Sequence, residues 1–189
     1  RGGFQRSSLD LLEPSRLKRL TTEKFWLWGG IVHDDLFISY AVVDLGYSTN
    51  GFAYAYSAER GLLAEASVIG PPRLSRVRQT QHKRIDARFR DPRLSIEALH
   101  EDDAPELSLS IHSKTLEVQA YLAFEGSPTP ITAIAPLQNQ GGVVNVTEKR
   151  VLMTVRGQAV VAGKRHSLDG SRWNEPGTRP SRRISTMSS

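Results

Sequence analysis

Apolar residues recur at every second position in short stretches along this chain, and Gly, Pro, Asp or Asn separate the stretches about every ten residues. That period puts successive side chains on opposite faces of an extended strand, so the chain reads as an all-β, antiparallel meander with little helix. Candidate strands are 23–32, 36–45, 51–58, 62–69, 84–90, 93–99, 105–112, 115–124, 130–136, 146–156 and 158–167. Polar or glycine turns at His33-Asp34-Asp35, Ser113-Lys114 and Gly157 join neighbours as hairpins, and the loop with Pro71 and Pro72 interrupts the sheet. So many sequential strands would leave long unpaired edges in one flat sheet, and closure into a barrel or a two-sheet sandwich is the expected solution.

Within this pattern, VVDLGYSTNGFAYAY (residues 42–56) places Phe52, Tyr54 and Tyr56 on one face of a strand and Ala53 and Ala55 on the other. Tyrosine hydroxyls in a dry core each need a partner, whereas a cavity mouth or water satisfies them. Trp26, Trp28, Tyr40, Phe52, Tyr54 and Tyr56 are therefore the candidates for lining an aromatic cavity that takes a hydrophobic small molecule. Residues 36–45 are apolar on both faces apart from Ser39 and Asp44, so that strand should be covered on both sides. Lys24 shares a face with Trp26 and Trp28, where its stem can lie across the rings or its charge can meet a carboxylate such as Asp44.

Hydrophobic residues make up 39% of the 189, enough for a real core, and the absence of cysteine excludes disulfides, thiol catalysis and cysteine-ligated zinc. No apolar run approaches the roughly 20 residues needed to span a bilayer, and no secretory leader precedes the first strand, so a soluble cytoplasmic protein is expected. The first residue is Arg rather than Met, as in a piece of a longer reading frame. A formal charge of +5 invites a nucleic-acid partner, and basic residues cluster in 73–93 and in the tail. Neither cluster interleaves the aromatics that stack bases, so a solvated basic face is expected and a nucleic-acid partner is not.

Signatures of common enzymes, Gly-x-Ser-x-Gly, a P-loop, Gly-x-Gly-x-x-Gly and His-Glu-x-x-His, are missing from the sequence. GYSTNG reads as a turn, with Asp44 accepting bonds from its backbone amides and with Gly46 and Gly51 supplying permissive angles. The HDD of residues 33–35 and the HEDD of residues 100–103 fall in predicted loops, where Asp is common for conformational reasons, and neither is taken as a metal site. His112 and His166 lie at strand ends as surface residues. No cofactor or metal is expected.

Residues 20–136 are expected to form a first β-barrel-like domain, 137–146 a polar, Gly-rich linker, and 147–169 the opening strands of a second β-domain. VTEKRVLMTVRG echoes the earlier TTEKFWLWGG, and the Arg-, Ser- and Pro-rich residues 170–189 read as a disordered tail. Together, TEKFWLW, VVDLGYSTNGFAYAY and VTEKRVLMTVRGQAVVAGKRHSLDG resemble the domain-of-unknown-function family 2804, from about Leu20 to Asp169. The matching positions are Lys24 and Trp26; Asp44, Gly46 and Tyr47; and Thr147, Lys149 and Gly157. After SLDG the family pattern would continue with an aspartate, a glycine and a Trp-rich strand, and SRWNEPGTRPSRRISTMSS does not. That departure implies a truncated or frameshifted end and an incomplete second barrel.

The resemblance extends to the lipocalin-like double barrels that include the carotenoid 1,2-hydratase type. It implies a bacterial protein with a lined cavity for a lipid, isoprenoid or fatty acyl chain. Two other functions stay open: a hydratase-like enzyme on such a substrate, with Asp44 or Glu23 as acid, and an interaction protein using the basic face from Arg73 to Arg93. Fold analogy alone carries no chemistry.

Overall fold

The computed structural model describes residues 24–79, 85–100, 104–124, 129–136, 144–169 and 183–188. The described residues are almost entirely antiparallel strand: β1 (Phe25–His33), β2 (Leu36–Asp44), β3 (Thr49–Ser57), β4 (Gly61–Gly70), β5 (Ser75–Gln79), β6 (Ile85–Asp91), β7 (Leu94–Leu99), β8 (Glu106–Ser113), β9 (Leu116–Ala123), β10 (Ile131–Pro136), β11 (Val144–Val151), β12 (Thr154–Val161), β13 (Lys164–Ser167) and β14 (Arg183–Ser188). They form two seven-stranded sheets, β10-β11-β14-β1-β2-β3-β4 and β13-β12-β9-β8-β7-β6-β5. No helix among them is long and apolar enough to cross a membrane.

Two meanders account for most of this order. β1 to β4 pair in sequence in the first sheet and β5 to β9 in the second, and a single 3₁₀ turn at Pro72–Leu74 carries the chain between sheets. Proline cannot donate to a ladder, which is why the crossover falls there. β5 approaches β1, β2 and β3, while β3 approaches β5, β7 and β9, so strands of the two sheets cross.

One hydrophobic core fills the space between the sheets. Leu27 and Ile31 of β1, Ile38, Tyr40 and Val42 of β2, and Ala53 and Ala55 of β3 meet Phe89, Ile96, Leu109, Ile111, Val118 and Leu122 of the second sheet. The small residues of β3 let the sheets approach closely: a Cβ on Gly51 would come within 2.5 Å of the Phe89 ring. Residues 147–169, expected to open a second β-domain, divide between the sheets: β11 joins the first and β12 pairs with β9 in the second. Met153, Val155, Ala159, Val161 and Leu168 lie in the same core.

Three local expectations change. Gly157 is not a hairpin turn: it lies inside β12 at φ 136°, and Ala162–Gly163 makes the turn. β5 emerges from the basic stretch, where alternation of Arg76 and Arg78 with Val77 supplies the period of two. In the tail, Arg183–Ser188 pairs with both β1 and β11, because its backbone satisfies two strand edges without needing an apolar face. The remaining tail residues, the segment 137–143, Glu23 and residues 101–103 of HEDD lie outside the described residues.

Candidate functional site

The hairpin register sets which aromatic rings meet. Asp34, at φ 49°, makes the tight turn that pairs His33 with Leu36 and so fixes β1 against β2. Trp28 then stands opposite Ala41, which stands opposite Phe52; one step on, Gly30, Ser39 and Tyr54 align. Trp26, Trp28, Phe52, Tyr54 and Tyr56 share one face of the first sheet, the face turned away from the core. None of the five belongs to the core cluster or packs against it.

Phe37 joins them, edge-on to Tyr54 at 5.9 Å between ring centroids, and Phe52 stacks on Tyr54 at 6.4 Å. These spacings are those of favourable aromatic pairs. The residues between the rings are small. A Cβ on Gly30 would stand 2.8 Å from the Phe37 ring and 3.4 Å from Trp28, so the rings close over the glycine. Ala41 and Ser39 are buried on this outer face without being core, and the Ser39 hydroxyl has no hydrogen-bond partner among the described residues. The rings are half-buried against one another and Tyr56 is 44% exposed. The result is an aromatic layer to which Phe37 also belongs, and its two-residue spacing from Ser39 and Ala41 is the sequence signal that places it on this face.

Tyr40 is on the other side. It is fully buried in the core, its hydroxyl has no partner among the described residues, and desolvation pushes the phenol's pKa up. Its ring lies over Gly29, where an added Cβ would be 2.5 Å from the ring carbon that bears the hydroxyl. Of the six aromatics singled out from sequence, five converge and Tyr40 does not.

Asp44 also points away from the aromatic layer, by its alternation with Tyr40 and Val42. Its Oδ1 accepts the Gly46 backbone N–H at 2.8 Å, and Gly46 takes φ 80°. The Lys24 Nζ donates to the Leu45 carbonyl at 2.5 Å and sits 4.3 Å from the centre of the Tyr47 ring. Lys24, Asp44, Gly46 and Tyr47 thus meet as a clasp around the β2–β3 turn.

The loops behave as conformational features. Asp35 accepts the Ser57 hydroxyl at 3.0 Å and faces Arg60 at 3.9 Å, tying two hairpin ends together. His100 Nε2 lies 2.8 Å from the Ala104 carbonyl, with its ring against Phe124. Among the described residues of the basic stretch, Arg76 and Arg88 both reach Asp86, Arg90 reaches Glu97, and Arg93 reaches Asp91. Both Arg93 hydrogen bonds and its charge hold the Asp91 carboxyl below its ordinary range.

Fold and site together define an all-antiparallel β-sandwich with an aromatic layer on one outer face. The chain belongs to the family described as a domain of unknown function, DUF2804, whose model matches residues 1–174. No curated protein and no solved structure matches it.

Proposed function

We propose that this chain is a lipocalin-like binding module that holds a hydrophobic molecule, a lipid, isoprenoid or fatty acyl chain, against the aromatic layer of Trp26, Trp28, Phe52, Tyr54 and Tyr56. The observation that carries this reading is the placement of five large rings, with Phe37, on a sheet face that contributes nothing to the core. Half-buried rings with Tyr56 44% exposed leave apolar surface that a ligand can cover, and each Å² removed from water is worth about 25 cal/mol. An extended chain laid over the rings gains that area. Tyr40, Phe89, Leu109 and Ile111 are buried in the interior, on the other side of this sheet.

Hydratase-like chemistry on the same ligand would need an acid on this face. The register sets Glu65 of β4 opposite Tyr54, whereas Asp44 is committed to its turn on the other face.

Titration with palmitate and with retinol, read by native mass spectrometry and tryptophan fluorescence, tests the proposal. A discrete adduct and a fluorescence change are expected, both lost in Trp28→Ala and Tyr54→Ala. A clean unliganded mass from folded protein at saturating concentrations of both would sink it.

A further inference from the structure

Residues 165–169 (RHSLD) and Gly157 stand outside the aromatic layer, at the far edge of the second sheet, and they build something there. Gly157 lies within β12 at φ 136°, in unbroken register with β9, and a Cβ would fall 2.1 Å from the Gln119 carbonyl oxygen, so this position requires glycine. Asp169 ties the end of β13 to this strand: its Oδ1 accepts the Gly157 N–H at 2.9 Å and its Oδ2 accepts the Ser167 hydroxyl at 2.9 Å. The buried Leu168 donates its own N–H to the Gly157 carbonyl at 2.8 Å.

This strap fixes one wall of a cleft of about 440 Å³ on the outer face of the second sheet, continuous with a hollow of about 70 Å³ that shares Gln119, Gln158 and Arg165. Both volumes together fit a ligand of small-molecule size. Register lines up Ser110, Gln119, Gln158 and Ser167 across four strands, a row of side chains that both donate and accept. Gln119 donates one amide N–H to the Ser110 hydroxyl at 2.8 Å and lines the cleft. Tyr121, 54% exposed, stands beside the row as a flat apolar surface with a polar tip.

The charges nearly cancel. Arg165 is offset by Glu117 and Asp169, and burial together with Lys164 and Arg60, against the opposing effect of Asp35, pushes the His166 pKa down towards a neutral ring at neutral pH. Such a wall, nearly neutral and mixing an exposed ring with amides and hydroxyls, does not favour an anion.

We propose that this cleft is a second binding site, for a neutral polyhydroxylated ligand, a mono- or disaccharide. A pyranose presents an apolar C–H face to Tyr121 and ring-edge hydroxyls that pair with the amides of Gln119 and Gln158. Each of those hydroxyls is donor and acceptor at once, as a primary amide is.

Saturation-transfer NMR of the whole chain with millimolar maltose, cellobiose and lactose tests this, with citrate as the anionic control. Transfer to at least one sugar and none to citrate is expected. Tyr121→Ala and Gln158→Ala, both at exposed positions, should each weaken binding by about tenfold, while Trp28→Ala leaves it unchanged. Silence from all three sugars with a folded protein, binding of citrate alone, or full affinity in both cleft variants would overturn the assignment.

Discussion

Tyr40 and Tyr54 stand two strands apart in chemistry although they belong to adjacent strands. Tyr54 lies in the outer layer, whereas the Tyr40 hydroxyl is buried without a partner among the described residues. A buried, unpaired hydroxyl costs about 1–3 kcal/mol, and the ring itself supplies the packing. Tyr40→Phe is therefore expected to raise stability by about 1 kcal/mol, measured as a higher urea midpoint at unchanged slope. A loss of stability would show that the hydroxyl has a partner after all. Sequence parity tells that Tyr40 is opposite Phe37 and Ser39, and that Phe52, Tyr54 and Tyr56 share a face. It does not tell which face meets the other sheet. That choice rests on Phe89, which fills the space above Gly51 from a strand almost forty positions away.

Elements with local signals were legible, and those stabilised by distant partners were not. β1 to β4 and β6 to β10 follow the alternation within a residue or two of each end. β5 hid among arginines, and β14 has too little apolar character to be read without β1 and β11 beside it. The Lys24, Asp44, Gly46 and Tyr47 motif shows a different limit: its residue types were noticeable, but they serve the β2–β3 turn and not a ligand. Lys24, just before β1, reaches across the end of β2 to the Leu45 carbonyl and the Tyr47 ring, so it locks the open end of one hairpin onto the start of the next. Lys24→Met keeps the stem and removes both polar contacts, and should lower stability by about 1 kcal/mol, read from urea unfolding. Ligand titration should be unaffected, since Lys24 touches the turn and not the ring layer. A variant as stable as the parent would remove the clasp from the account of this turn.

At the scale of the molecule, the distribution of residues 144–169 decides how the chain unfolds. If these residues opened an independent second unit, their loss would leave the core of β1 to β9 intact. Instead β11 enters the first sheet, β12 hydrogen-bonds along the whole of β9, and Met153, Val155, Ala159, Val161 and Leu168 are buried among side chains from both sheets. Removing five such residues from a shared core opens a void that neighbours cannot fill, and Leu or Met to Ala changes of this kind cost about 2–5 kcal/mol each. A domain is stable by only about 5–15 kcal/mol in total, so β12 cannot leave while the rest stays folded. One cooperative transition is expected, with far-UV circular dichroism and amide exchange of Val118, Leu122, Val155 and Ile38 collapsing at the same temperature. Earlier exchange of the β12 amides, with β2 and β9 still protected, would instead separate residues 144–169 as a unit of their own. The same experiment bears on both binding surfaces: the aromatic layer on β1 to β3 and the cleft on β9, β12 and β13 lie on opposite sheets of one core, and should be lost together on heating.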